Sequence, residues 1–344
     1  MKVTYRKHIL EFKRPSGTSR GILKTKETWF LIIEHDGKRG IGECGILRGL
    51  SVDDRPDYET QLQDTCKEIE KGLPYLYAKN GEFPSIQIGL EMAFKSLESQ
   101  DPFVLFPSEF TAGRASIAIN GLIWMGDQAF MKQQIEDKIA SGFSCIKLKI
   151  GAIDFQTELD ILKGIRRNFS ESDIELRVDA NGAFKPSEAL EKLKQLSDFN
   201  LHSIEQPIKA GQFTDMAKLC EQTPLDIALD EELIGVFDDV KKLDLLQAIN
   251  PQYIILKPSF IGGFKGSDTW VNLAEKQNIG WWITSALESN VGLNAIAQYT
   301  YTKNSNLPQG LGTGSLFTNN ITAPLQVEKG TLQYDTNTNW DFKF

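Results

Sequence analysis

CIKLKIG, residues 145–151, sets two lysines at alternate positions of an otherwise apolar run. In a β-strand, residues two apart project from the same face. Lys147 and Lys149 therefore leave one face together, while Ile146, Leu148 and Ile150 leave the other. Lysine is almost never fully buried without a partner, and two neighbouring ammonium groups repel. The run reads either as an exposed edge strand or as a strand whose charged face meets an anion in a functional cavity. Its surroundings in the chain bear on that choice.

From about residue 116 onward, short apolar runs alternate with helix-like stretches, and the cycle returns roughly every 25–30 residues. The runs are SIAING (116–121), CIKLKIG (145–151), IELRVDANG (174–182), LHSIEQPI (201–208), DIALDEEL (226–233), YIILKPS (253–259), GWWITSALES (280–289) and LPQGLGTG (307–314). Between them lie helical segments such as PSEALEKLKQLSDF (186–199) and FTDMAKLCEQ (213–222). Strands alternating with helices predict right-handed βαβ units and a parallel sheet. Eight runs suit a closed β/α barrel of about 200 residues, with an open doubly wound sheet as the alternative.

The first hundred or so residues follow another pattern. TWFLIIEHDGKRGIGECG (28–45) predicts a hairpin about Asp36-Gly37. YETQLQDTCKEIEKGL (58–73) and SIQIGLEMAFKSLESQ (85–100) predict helices. The segments 15–21 and 44–58 are rich in Gly, Ser, Pro and Asp and read as loops. The expected organisation is an α+β module over residues 1–115 and a barrel over 116–320. A tail hairpin about Lys329-Gly330 is expected to return residues 321–344 onto the first module.

Composition narrows the function. Of 344 residues, 41% are hydrophobic and 24% charged, as in ordinary globular proteins. A net charge of −8, with no Lys/Arg-rich tract, argues against a nucleic-acid partner. The N-terminal MKVTYRKHILEFKRPSG lacks the apolar core of a signal peptide, and no stretch approaches a membrane span of about 20 apolar residues. Cys44, Cys66, Cys145 and Cys220 show no CxxC spacing and read as free thiols, which fits a cytoplasmic location. His8, His35 and His202 are too dispersed for a zinc site.

In a β/α barrel the functional groups sit at the C-terminal ends of the strands. Those ends carry Lys147 and Lys149, then Asp179, Glu205, Asp230, Lys257, and finally Ser285 and Glu288. Three carboxylates from adjacent strands repel unless a cation neutralises them, and hard oxygen ligands suit Mg²⁺ or Mn²⁺. Lys149 and Lys257 flank the acids on strands that lie nearly opposite each other around a barrel. Amines facing across a metal-bound small-molecule carboxylate are what abstraction of its α-proton requires. Burial beside another cation is expected to lower the pKa of the base. Lys147 either supplies that second cation or contacts a substrate carboxylate. Arg177 and Asn181 share a face with Asp179: Asn181 is placed to bond a substrate oxygen, and Arg177 to neutralise a carboxylate or brace the barrel. The glycines of GLGTG (310–314) let backbone N–H groups approach an anion.

Taken together, IKLKIG, VDANGAF, IEQPI, ALDEEL and ILKPSFIGG resemble the motifs of the enolase superfamily, in its muconate-lactonizing subgroup, over nearly the whole chain. The resemblance implies a (β/α)7β modified TIM barrel with an N-terminal α+β capping domain whose loops close over the mouth. It implies Asp179, Glu205 and Asp230 as Mg²⁺ ligands and Lys149 and Lys257 as the catalytic pair. AINGLIW, TSALESNVGLNAIAQ and QGLGTGSLFTNNI are most similar to the branch that dehydrates 2-succinyl-6-hydroxy-2,4-cyclohexadiene-1-carboxylate to o-succinylbenzoate in menaquinone biosynthesis. That branch implies a hydro-lyase in which Lys149 takes the proton and returns it to the departing hydroxyl, while Lys257 stays cationic. Ser285, Gly312, Thr313 and Gly314 are then expected to bind the succinyl tail, and Gly17, Thr18 and Arg48 to close over it.

Two other functions use similar parts. An N-acylamino acid racemase or dipeptide epimerase on the same scaffold would employ both lysines as a two-sided acid/base pair. The epimerase usually carries an Asp-x-Asp pair at the eighth strand, where this chain has Gly312-Thr313-Gly314. A non-catalytic small-molecule receptor would be indifferent to metal and would need an export signal. The sequence leaves the oligomeric state open.

Overall fold

The computed structural model describes residues 1–18 and 21–344, with only the backbone of 16–18. The chain opens with an antiparallel sheet of β1 (Lys2–Thr18), β2 (Gly21–His35) and β3 (Lys38–Gly45). His35 pairs with Lys38 across a two-residue turn in which Asp36 and Gly37 have φ of 50° and 75°. This is the left-handed geometry that Asp-Gly favours in a tight hairpin. The loop expected over 15–21 is instead largely strand: pairing resumes from Ser16↔Leu23 to Thr18↔Gly21 after a register shift beyond Glu11. Pro15 falls inside that shift, where its missing N–H removes no ladder bond. Residues 19 and 20 of the expected loop lie outside the described residues.

Helices α1 (Tyr58–Lys67), α2 (Gly72–Lys79) and α3 (Pro84–Glu98) complete the module. Most of α3 is buried, because it lies between the sheet and the barrel. Glycines set how closely α3 approaches β3. A Cβ added at Gly42 would stand 2.0 Å from the Gly89 carbonyl oxygen, and one at Gly89 would stand 2.2 Å from Cys44 Sγ. Gly42→Ala is therefore expected to push the helix off the sheet and destabilise the fold by about 1–3 kcal/mol. An unchanged urea midpoint would contradict this account of the packing.

The second unit begins with β4 (Ile117–Ala118) and β5 (Gly121–Ile123). There follow β6 (Cys145–Lys149), β7 (Glu175–Asp179), β8 (Ser203–Glu205), β9 (Ile227–Leu229), β10 (Tyr253–Leu256) and β11 (Gly280–Ile283). Strands β5 to β11 are parallel neighbours in chain order. The intervening helices are α4 (Gln128–Ala140), α5 (Phe155–Asn168), α6 (Pro186–Ser197), α7 (Phe213–Gln222), α8 (Asp239–Ile249), α9 (Pro258–Ile261) and α10 (Gly263–Glu275). After β11 comes α11 (Asn290–Tyr301). Residues 309 and 310 close the circle: Gln309 bridges Ile119 and Gly310 bridges Thr284, both in parallel. Only a short 3₁₀ turn, Gly314–Leu316, follows, so the barrel is (β/α)7β and the open-sheet alternative falls. The period-two reading of 145–151 holds. Ile146, Leu148, Leu176 and Val178 are buried in the shell, and the alternate residues face the barrel interior.

Two carboxylates of the first module grip barrel helices at their N-termini. Glu91 accepts the N–H groups of Phe264 (2.6 Å) and Lys265 (3.0 Å) on α10. Glu43 accepts those of Ser289 and Gly292 on α11, both at 2.8 Å. Unbonded N–H groups and the helix dipole make such ends natural seats for an anion. The tail hairpin, β12 (Leu325–Glu328) and β13 (Thr331–Tyr334), turns at Lys329-Gly330 as expected. On this hairpin the Tyr334 ring lies 5.8 Å from that of Phe110 in the first module. β13 pairs with β4, whose edge is open because the eighth barrel segment is so short. The last residues also reach the first sheet, with the Phe342 ring edge-on at 5.3 Å and the Phe344 ring tilted at 4.9 Å from Phe30. Among the described residues no helix is long and apolar enough to cross a membrane.

Candidate active site

Strand register assembles the charged groups. Lys149 lies opposite Asp179, and Asp179 opposite Glu205. Asp230 and Lys257 each sit one residue beyond the ends of β9 and β10. Asp179, Glu205 and Asp230 are 0%, 2% and 2% exposed, far below what a lone carboxylate tolerates. Each has an ammonium partner. Lys149 Nζ donates to Asp179 Oδ2 and to Asn181 Oδ1, both at 2.8 Å. Lys147 donates to Glu205 Oε2 and stands 3.2 Å from Asp179 Oδ2. Lys257 donates to Asp230 Oδ2 and lies 4.0 Å from Glu205 Oε1.

The charges respond to this packing. Burial raises the Asp179 carboxyl, but Lys147 and Lys149 outweigh it and hold the group well below the usual range. Glu205 is pushed up to about 7 by burial and by the charge of Asp179, against the pull of Lys147. Burial lowers Lys147, yet Asp179 and Glu205 more than offset it and keep the group above an ordinary lysine. Lys257 is raised likewise, by Asp230 and Glu205.

Among the described residues no three acidic, His or Cys side chains surround a common point, since each carboxylate is turned to an ammonium. The donor set nevertheless fits a divalent cation. Glu205 Oε1 is buried and has no hydrogen-bond partner, a costly state for a carboxylate oxygen. Two further buried carboxylates stand on the neighbouring strand ends, and hard oxygens are what such an ion prefers.

A cavity of about 260 Å³ opens over these groups. Lys147, Lys149, Asp179, Asn181 and Lys257 form its charged end, with Ser285, Gly312 and Thr313 also in the wall. Ser285 and Thr313 share a hydroxyl–hydroxyl bond of 2.6 Å. Gly314 is not in the lining: its carbonyl accepts from Asn320 at 2.8 Å, and Asn290 fills the space where its Cβ would stand. Asn181, at φ 45°, also donates to Glu231 at 3.1 Å, which holds it beside Lys149. Arg48 is occupied within the capping module, 2.5 Å from both Glu27 and Asp54. Gly17 and Thr18 end β1, and their side-chain surroundings lie outside the described residues.

Arg177 takes the bracing role. It is buried, bonded to Glu175 at 2.7 Å and to the Pro308 carbonyl at 3.0 Å, over the Trp282 ring. All four cysteines are free thiols. The apolar walls were not anticipated: Leu23, Leu47 and Leu50 reach in from the capping module, opposite Trp124, Phe260 and Leu316. Their only trace in the chain is leucine within otherwise polar loop-like segments, which no periodicity interprets.

A family profile described as enolase C-terminal domain-like matches residues 130–338. The chain is 47% identical to an o-succinylbenzoate synthase of Desulfotalea psychrophila, over 96% of this chain and 98% of that one. A crystal structure of MenC from the same organism superposes with a TM-score of 0.87 at 44% identity, covering 97% of this chain and 99% of that one. An L-Ala-D/L-Glu epimerase of Bacillus subtilis is 27% identical over 50% of this chain and 47% of its own.

Proposed function

The chain belongs to the enolase superfamily, and from that premise we propose that it is an o-succinylbenzoate synthase, a cytoplasmic hydro-lyase of menaquinone biosynthesis. Its substrate is 2-succinyl-6-hydroxy-2,4-cyclohexadiene-1-carboxylate and its cofactor is Mg²⁺, with Mn²⁺ able to substitute. The observation that carries this reading is the pair Lys149 and Lys257 on one cavity, flanking three buried acids, beneath apolar walls suited to a ring.

Asp179, Glu205 and Asp230 would hold the divalent ion, which would supply positive charge where the substrate becomes anionic. Lys149 removes the proton α to the ring carboxylate. The electrons of that C–H bond then expel the ring hydroxyl, which takes the proton from Lys149 and leaves as water. Lys257 stays protonated and stabilises the anion. Asn181 orients Lys149 through the bond to its ammonium. Lys147, Ser285, Gly312 and Thr313 contact the substrate, and the capping leucines exclude water.

The test is to incubate purified protein with the cyclohexadiene substrate and follow product absorbance. Turnover is expected with Mg²⁺, lost with EDTA and restored by added Mg²⁺. No product in any arm defeats the assignment. Two amines on one cavity also serve racemisation, so N-acylamino acids in D₂O provide a second assay, read as loss of optical activity with deuterium uptake. The dipeptide epimerase reading is disfavoured by Gly312-Thr313-Gly314, which offers no carboxylate to a substrate ammonium.

A further inference from the structure

Glu288 is the strand-end acid that the site does not absorb. It is 1% exposed and takes no part in the cavity wall. Its Oε1 accepts from Ser259 Oγ at 2.5 Å, and its Oε2 accepts from the Ala286 backbone N–H at 2.7 Å. Ser259 lies two residues after Lys257, and Ala286 follows Ser285. One carboxylate therefore ties the end of β10, which carries Lys257, to the end of β11, which carries Ser285. Leu287 lies between the two points of the Ala286 bond, at φ 64°, a left-handed backbone that favours glycine, and its side chain lines the cavity. Strain of this kind persists only where the surroundings over-determine it. The bond from Ala286 to Glu288 is one such constraint, and the grip of Glu43 on Ser289 is another.

We propose that Glu288 is a positioning residue: through Ser259 it sets Lys257, and through Ala286 it sets Ser285 and Leu287. The proposal rests on Lys257 belonging to the catalytic pair. Ser259→Ala cuts only the tie to the Lys257 strand end, and Glu288→Ala cuts both ties. Kinetics should show kcat reduced about tenfold or more in Glu288→Ala and less in Ser259→Ala, with KM within about twofold of the parent in each. The double variant should lose no more than Glu288→Ala alone, because the two side chains act as one unit. Glu288→Gln, which keeps an oxygen for Ser259, should recover part of the loss. A crystal structure of Ser259→Ala should show the Lys257 ammonium displaced from Asp230, a readout independent of substrate identity. If the parent fails on the cyclohexadiene substrate, the functional reading falls and the crystal structure alone judges the positioning. Losses that add, or a folded Ser259→Ala with Lys257 unmoved, overturn the proposal.

Discussion

Lys149→Ala is expected to lower kcat by about 10³-fold or more, because it removes the only group assigned to take the α-proton. The fold should survive. Asp179 keeps Lys147 at 3.2 Å, so the buried carboxylate is not abandoned. The thermal midpoint and far-ultraviolet circular dichroism should therefore stay near those of the parent. KM should change little, since the substrate carboxylate is held by other groups. Lys149→Arg should fail almost as badly: a guanidinium has no accessible neutral form with which to accept the proton. Full turnover in either variant would refute the assignment of Lys149 as base.

The second large effect concerns Asp230. Asp230→Asn removes a charged oxygen from the proposed ion site and should weaken Mg²⁺ at least about tenfold, a loss that changes behind a metal's own ligands already produce. Calorimetric titration with Mg²⁺, and activity as a function of Mg²⁺ concentration, measure this directly. An unchanged titration would exclude Asp230 as a ligand. The same variant tests the ion pair seen here. Lys257 would lose its charged partner, leaving Glu205 Oε1 as the next carboxylate at 4.0 Å. Without metal, unfolding should become easier by roughly 3 kcal/mol, the order of cost of an uncompensated buried charge. The two readouts separate the roles of the residue: metal affinity reports the ligand, and metal-free stability reports the partner of Lys257.

Much of this architecture was legible because side-chain direction in a strand has period two. Once Ile146, Leu148 and Ile150 are assigned to the shell, Lys147 and Lys149 must face the interior, with no long-range information needed. The same local rule carries Asp179 and Glu205 to neighbouring strand ends, and the register then aligns them. Asp36-Gly37 and Lys329-Gly330 were readable as turns because their backbone preference is intrinsic. The rule stops where strands stop. Glu288 lies three residues after Ser285, beyond the strand, and its carboxylate turns away from the cavity to bond Ser259. Gly314, at the end of GLGTG, is turned toward Asn290 and Asn320. Arg48 is claimed by Glu27 and Asp54 inside its own module.

The sequence by itself determined the alternation of strands and helices, the strand ends that carry charge, and the face on which each charge lies. These follow from hydrophobic periodicity, a property of neighbouring residues that survives any change elsewhere in the chain. Tertiary structure alone decided which carboxylate each lysine meets, which loop leucines wall the cavity, and that β13 joins β4 rather than the first sheet. Those outcomes depend on distances between segments far apart in the chain. They were set by which buried charge, open edge or apolar surface lay nearest once the barrel had closed.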